Sequence, residues 1–114
     1  MRKEVMELSD ELRRQIRDSL EPLHPEKVIV FGSHARGQAD RDSDLDLIVV
    51  LGSEAVPASY QDRRANRLRV RRALDALNRD YALDVLVYTA PEWKRFQDSD
   101  SAFVREIAHE GVEV

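Results

Sequence analysis

The sequence predicts an α/β (α+β) fold, a small mixed β-sheet flanked by helices. Three observations carry that expectation. Two short apolar runs rich in β-branched residues supply strands, a third run alternates apolar and polar positions, and the segments around them have helical periodicity. A chain of 114 residues suffices for one modest core, so residues 1–114 are expected to form a single domain.

The elements follow in the order α-β-β-α-β-α. Leu8, Leu12, Ile16 and Leu20 recur at helical spacing, with Asp10 and Glu11 early and arginines later, as the helix dipole favours. Pro22 and Pro25 end that helix. Lys27-Val28-Ile29-Val30-Phe31 reads as a buried strand, residues 32–43 as a polar turn-rich loop, and Leu45–Leu51 as a second strand. Residues 52–57 form a loop. From about residue 60 to 78, Ala65, Leu68, Ala73, Leu74 and Leu77 have helical spacing and are the expected core face of a long helix. Residues 81–88 form a third strand, with Leu83, Val85 and Val87 on one face and Asp84, Leu86 and Tyr88 on the other. Thr89 and Glu92 have the spacing of a capping box that opens a helix, and Phe103, Val104, Ile107 and Ala108 mark a further helical segment stopped near Gly111.

Composition excludes several classes of function. With no cysteine there is no disulfide framework, zinc ribbon, thiol nucleophile or iron–sulfur cluster, and a cytoplasmic location is expected. The start, Met1-Arg2-Lys3-Glu4-Val5, is charged rather than apolar and does not read as a signal peptide. The longest apolar run, Leu47 to Leu51, is too short to cross a bilayer. A net charge of −4, from 18 Lys+Arg against 22 Asp+Glu, argues against a dedicated nucleic-acid binder.

The chemistry is concentrated between Gly32 and Asp46. Asp44 and Asp46 sit two apart at the mouth of a strand, so their carboxylates project from one face while Leu45 and the following apolar run anchor the other. Adjacent carboxylates without a cation repel, and one tends to hold a proton. A pair of Mg²⁺ ions resolves the repulsion, because hard cations prefer oxygen ligands and in two-metal sites lie about 3.5–4 Å apart. Asp84, early in an otherwise apolar strand, would complete a three-carboxylate cradle if its strand neighbours Leu45–Leu51. Gly32-Ser33 directly follows a strand and reads as the opening of a short helix. Its glycine admits close backbone approach, and the serine hydroxyl and nearby amides can donate to phosphate. Arg36 either approaches the same phosphates or fixes the loop through an ion pair.

These residues carry a resemblance. Gly32-Ser33, ten residues, then Asp44-x-Asp46 resembles the signature of the nucleotidyltransferase superfamily related to DNA polymerase beta. With Val28-Ile29-Val30-Phe31 before it and Ala35-Arg36-Gly37 within it, the string resembles the minimal nucleotidyltransferase (MNT) branch, along most of the chain. The resemblance implies the polymerase beta-like nucleotidyltransferase fold. It also implies that Asp44 and Asp46 bridge two Mg²⁺ ions, that Asp84 completes the catalytic-metal site and helps activate the attacking hydroxyl, and that Gly32 and Ser33 hold the terminal phosphates. The implied reaction is attack of a hydroxyl on the α-phosphorus of ATP with loss of pyrophosphate. The recurrent partner of the MNT branch is an all-helical HEPN-domain toxin. The implied role is therefore an antitoxin that adenylylates a tyrosine of that toxin.

Other readings stand beside these. Asp44 and Asp46 alone would fit a solvated strand entrance, and Asp84 an edge residue reaching water. Asp40, Asp42 and Ser43 are assigned to the turn. His24, His34 and His109 lack partners at metal-ligand spacing and read as surface groups or as groups that support the site from behind its direct ligands. The arginine-rich segment 63–79 reads as a solvated helix face, with partner docking and then nucleic acid as alternatives. Trp93 and Phe96 read as core contacts or a docking surface. At the level of function, the alternatives are an antitoxin that neutralises by binding alone and a small-molecule (aminoglycoside-type) nucleotidyltransferase completed by a separate helical subunit.

Overall fold

The computed structural model describes residues 8–40 and 42–114; the charged residues 1–5 and Arg41 lie outside them. Helix α1 (Asp10–Leu20) starts where Ser9 accepts a hydrogen bond from the Leu12 amide at 3.1 Å, and it buries Leu12, Ile16 and Leu20. A 3₁₀ turn (Glu21–Leu23) with Pro22 ends it, and His24 at φ 49° redirects the chain into β1 (Pro25–Phe31). Strand β2 (Leu45–Leu51) follows the polar loop, helix α2 (Tyr60–Ala73) and the short α3 (Asp75–Asn78) follow β2, and β3 (Leu83–Thr89) follows them. Helices α4 (Ala90–Asp98) and α5 (Ala102–Glu110) lead to the two-residue β4 (Val112–Glu113).

The sheet has the order β3-β2-β1-β4. Strands β1 and β2 are antiparallel, β2 and β3 parallel, and β1 and β4 antiparallel, so the sheet is mixed as expected. Alternation along each strand divides the core between two faces. On one, Val28, Val30, Leu45, Leu47, Val49 and Leu51 pack against α1, α2 and α3; on the other, Ile29, Ile48 and Val50 meet Trp93 of α4 and Ile107 of α5. Phe31, Leu86, Tyr88, Phe96 and Phe103 complete the second face, where the Tyr88 and Phe96 rings stack at 5.2 Å. Trp93 and Phe96 thus take the core role. No helix among the described residues is long and apolar enough to cross a membrane.

The structure departs from the sequence expectation in four places. The long helix breaks at Leu74, whose amide donates to both Val70 and Arg71 carbonyls, so the chain tightens into α3. Ala65 and Leu68 have core spacing but are exposed, because α2 turns Asn66, Val70 and Ala73 toward the body instead. Residues after Gly32 make a single helical turn rather than a helix. Strand β4 was not expected, since two residues carry no periodicity; it is recruited by the open edge of β1.

Candidate active site

The connection from β1 to β2 places Gly32–Ser33 and Asp44–Asp46 at one end of the sheet, and the parallel β3 begins at that same end. The register pairs Asp46 with Asp84 directly across β2 and β3, and Phe31 with Asp46 across β1 and β2. The adjacency that the sequence left conditional is therefore present. Asp46 and Asp84 share the sheet face of Ile48, Val50, Leu86 and Tyr88. Asp46 is half-buried, and Asp44 and Asp84 are exposed.

A glycine leaves the room that the Asp46 side chain occupies. Gly32 adopts φ 72°, a left-handed conformation that side chains rarely take, and a Cβ there would overlap Asp46 Oδ2 and come within 3.2 Å of its Cγ. The chain then makes one helical turn: the Arg36 amide donates to the Gly32 carbonyl at 3.1 Å, Gly37 donates to His34, and Gln38 donates to Ser33 at 2.9 Å. With Gly37 at φ 69°, this is a Schellman-type closure, and it explains the order Ala35-Arg36-Gly37. The amides of Ser33, His34 and Ala35 have no backbone acceptor among the described residues, so three donors open the turn as at a helix start. On the other side of the loop, Asp40 accepts from the Asp42 amide at 2.9 Å and the Ser43 hydroxyl at 3.2 Å. Asp40, Asp42 and Ser43 are thus turn residues that deliver Asp44 to the strand mouth.

The electrostatics converge on Asp46. Burial first, then the Asp84 and Asp44 carboxylates, raise its pKa above the ordinary value, while His34 and Arg36 pull it down. Among the described residues, none of the three carboxylates accepts a protein hydrogen bond, and no trio of acidic or histidine side chains is closed into a ready-made cation cage. Three carboxylates at one end of the sheet are an oxygen-only donor set, the kind that suits a hard divalent cation, which would complete the arrangement rather than enter a finished one.

Arg36 is engaged elsewhere. Its guanidinium reaches Gln38 Oε1 at 3.0 Å, Glu110 at 3.5 Å and Glu106 at 3.9 Å, tying the loop to α5. This is the ion-pair alternative for Arg36, with partners that nothing near it in the sequence indicates. His34 is buried at 5% exposure, so it is no surface residue; it stands edge-on to Tyr81 at 6.0 Å, with Nε2 free of any hydrogen-bond partner among the described residues. Its position between Ser33 and the turn was its only sequence signal. A surface cavity of about 560 Å³, lined by Arg14, Arg17, His24 and Lys27 among others, contains none of these residues.

A loop with free amides next to strand-borne aspartates is an arrangement for handling phosphate esters, and a mixed sheet with helices on both faces carries it. A family model described as "Nucleotidyltransferase domain" matches residues 10–80, more than half of the chain. The chain belongs to that nucleotidyltransferase family, and the activity class is nucleotidyltransferase. The matched stretch contains Gly32, Ser33, Asp44 and Asp46 and stops before Asp84. A Methanocaldococcus jannaschii protein named "Putative protein adenylyltransferase MJ0141" is 25% identical over 111 residues, covering 97% of this chain and 99% of that protein. Among solved structures, one described as "a putative nucleotidyltransferase from Sulfolobus solfataricus" is similar with a TM-score of 0.51, at 23% identity, over 72% of this chain and 70% of that one. A toxin-antitoxin crystal structure with AMP-PNP is similar with a TM-score of 0.50, at 20% identity, over 88% of this chain and 69% of that chain. These two likenesses concern the fold, which is that of nucleotidyltransferases.

Proposed function

We propose that this chain is a Mg²⁺-dependent protein adenylyltransferase that moves AMP from ATP onto a tyrosine of a helical HEPN-type toxin, and so acts as its antitoxin. The observation that carries the reading is the Asp46–Asp84 register beside the Gly32–Ser33 turn. The relative named for protein adenylyl transfer, similar along nearly the whole chain, favours a protein acceptor. The toxin-antitoxin structure with AMP-PNP favours a toxin as that acceptor and an adenine nucleotide as donor. The absence of cysteine and the dependence on ATP suit the cytoplasm, and residues 1–114 act as one domain.

Asp44, Asp46 and Asp84 would hold two Mg²⁺ ions, whose charge would neutralise the carboxylates and the triphosphate. The residues themselves perform the remaining tasks. Ser33 and the free amides at the start of the turn bind the terminal phosphates. Gly32 keeps the backbone low enough for Asp46 to stand beside them. Arg36, in contact with Glu106 and Glu110, holds the turn in place and can turn toward phosphate. Asp84 orients the acceptor hydroxyl and takes its proton as the new oxygen–phosphorus bond forms and the bond to pyrophosphate breaks.

The test incubates the protein and its Asp44→Asn variant with α-phosphate-labelled ATP, Mg²⁺ and the purified protein encoded in the adjoining reading frame. Label on a tyrosine of that protein with the wild type, and none with the variant, is the expected result. Absence of label with the wild type overturns the reading. Toxin neutralisation that survives Asp46→Asn would favour an antitoxin acting by binding alone.

A further inference from the structure

Helix α2 buries little of itself against the body. Val70 is its single buried residue, and of residues 60–69 only Asn66 is even half-buried. Tyr60 is 70% exposed and Leu68 38%, while Val56 in the preceding loop is 48% exposed. The helix carries arginines 63, 64, 67, 69, 71 and 72 against one acid, Asp62, for a formal charge of +5. The rest of the chain holds 12 basic and 21 acidic residues and is therefore at −9. Among the described residues, only Arg63 of the six has an ion-pair partner, Glu92 at 3.8 Å.

Two features bear on what this surface is for. Tyr60, Arg64, Arg67, Leu68 and Arg71 fall on one helical face, and the Arg67 guanidinium lies 5.5 Å from the Tyr60 ring centre. Like charges at such spacing repel, and an unpacked helix of this length is marginal in water. The surface also lies away from the aspartates. Glu92, which Arg63 meets, is in the first turn of α4 just beyond the end of β3, whereas Asp84 is near its start, about 17 Å earlier along the strand. Val70, the buried residue of α2, packs on the Leu47 face of the sheet, whereas Asp46 and Asp84 share the opposite face with Ile48 and Leu86.

We propose that the Tyr60–Arg64–Arg67–Leu68–Arg71 face of α2 is the docking surface for an acidic patch on the partner protein. The inference rests on the reading that the acceptor is a protein, and names the surface that would hold it. Tyrosine and arginine are enriched at interface centres, and Tyr60, Arg64, Arg67 and Arg71 are all exposed here. The charge contrast favours an acidic protein patch over nucleic acid. A duplex longer than the helix, about 21 Å, would run onto the −9 body and be repelled, whereas a local patch would not.

The test measures binding of the purified protein from the adjoining reading frame to the wild type, to Arg64→Glu/Arg67→Glu and to Tyr60→Ala/Leu68→Ala. Calorimetry at low and physiological salt is run beside label transfer from ATP. Each double variant is expected to weaken binding about tenfold or more, the charge reversal most at low salt, and to keep its melting temperature. Transfer should recover at saturating partner. Affinity unchanged in folded variants, or no binding by the wild type, overturns the proposal. So does an α2-dependent affinity confined to a single-stranded RNA probe, or a change in the mass of the free protein by light scattering, which would make the occupant RNA or a second copy. Binding that depends on α2 without label on the partner would refute adenylyl transfer and leave docking intact. Equal label from wild type and variants at sub-saturating partner would do the reverse.

Discussion

Asp46 is the carboxylate on which folding and the proposed chemistry pull in opposite directions. Its pKa is raised by burial and by Asp84 and Asp44, so between the unfolded and folded values the native state binds more protons than the unfolded one. Stability therefore falls as pH rises through that window, and the cost persists above it. Asp46→Asn removes the cost. Without divalent cations at neutral pH, this variant should melt above the wild type, with the gap closing as pH falls through the carboxylate range. Thermal melts of both from about pH 8 to about pH 4 check this. Added Mg²⁺ should raise the wild-type melting temperature more than that of the variant, since a ligand that binds only the native state stabilises it. Gly32 gives a second residue-scale prediction. Gly32→Ala should cost about 1–2 kcal/mol for the left-handed backbone and more for the overlap with Asp46. In an Asp46→Ala background the overlap disappears and only the backbone share should remain. Denaturant titration of the double-mutant cycle separates the two.

At the scale of elements, α4 shows how a cap can do two things. Glu92 Oε1 accepts from the Thr89 amide at 2.9 Å and also faces Arg63 of α2. In the same capping box Thr89 Oγ1 faces the Glu92 amide without closing to a hydrogen bond. Glu92→Ala should therefore lose about 1 kcal/mol, whereas Glu92→Gln, which keeps an acceptor, should lose a few tenths; chemical denaturation discriminates the two. Helix α2 is the opposite kind of element, one whose outer turns contribute little to the core. Hydrogen exchange should find the amides of residues 64–69 poorly protected in the free protein, those of Leu45–Leu51 protected to the level of global unfolding, and the former slowed by the bound partner. Equal protection of both segments in the free protein would contradict this picture.

For the whole molecule, β2 is the centre. It is paired on both sides, its six apolar residues are buried, and it presents Asp46 on one face and Leu47 on the other. Leu47→Ala should cost about 2–5 kcal/mol, a large part of the about 5–15 kcal/mol typical of a domain, and should take nucleotide binding with it. Most of this plan was legible before the structure. The Leu45–Leu51 strand, the alternating third strand and the Asp40–Ser43 turn are local patterns, and local sterics, burial and hydrogen bonding decide them. So are the residue types of the site. What was illegible depends on partners distant in the chain. No pattern near Arg36 points to Glu106 and Glu110, none near Leu68 says that its spacing faces water, and none predicts that β1 would collect Val112–Glu113 at its edge. The sequence by itself determined which side chains are available for phosphate and cation chemistry and which segments hold them. The tertiary structure alone decided that β3 lies against β2 in the register pairing Asp84 with Asp46, and that α2 turns Tyr60, Arg64, Arg67, Leu68 and Arg71 to solvent. Both follow from how elements pack across long chain separations, where sheet order and shared burial choose among arrangements that local periodicity leaves equal.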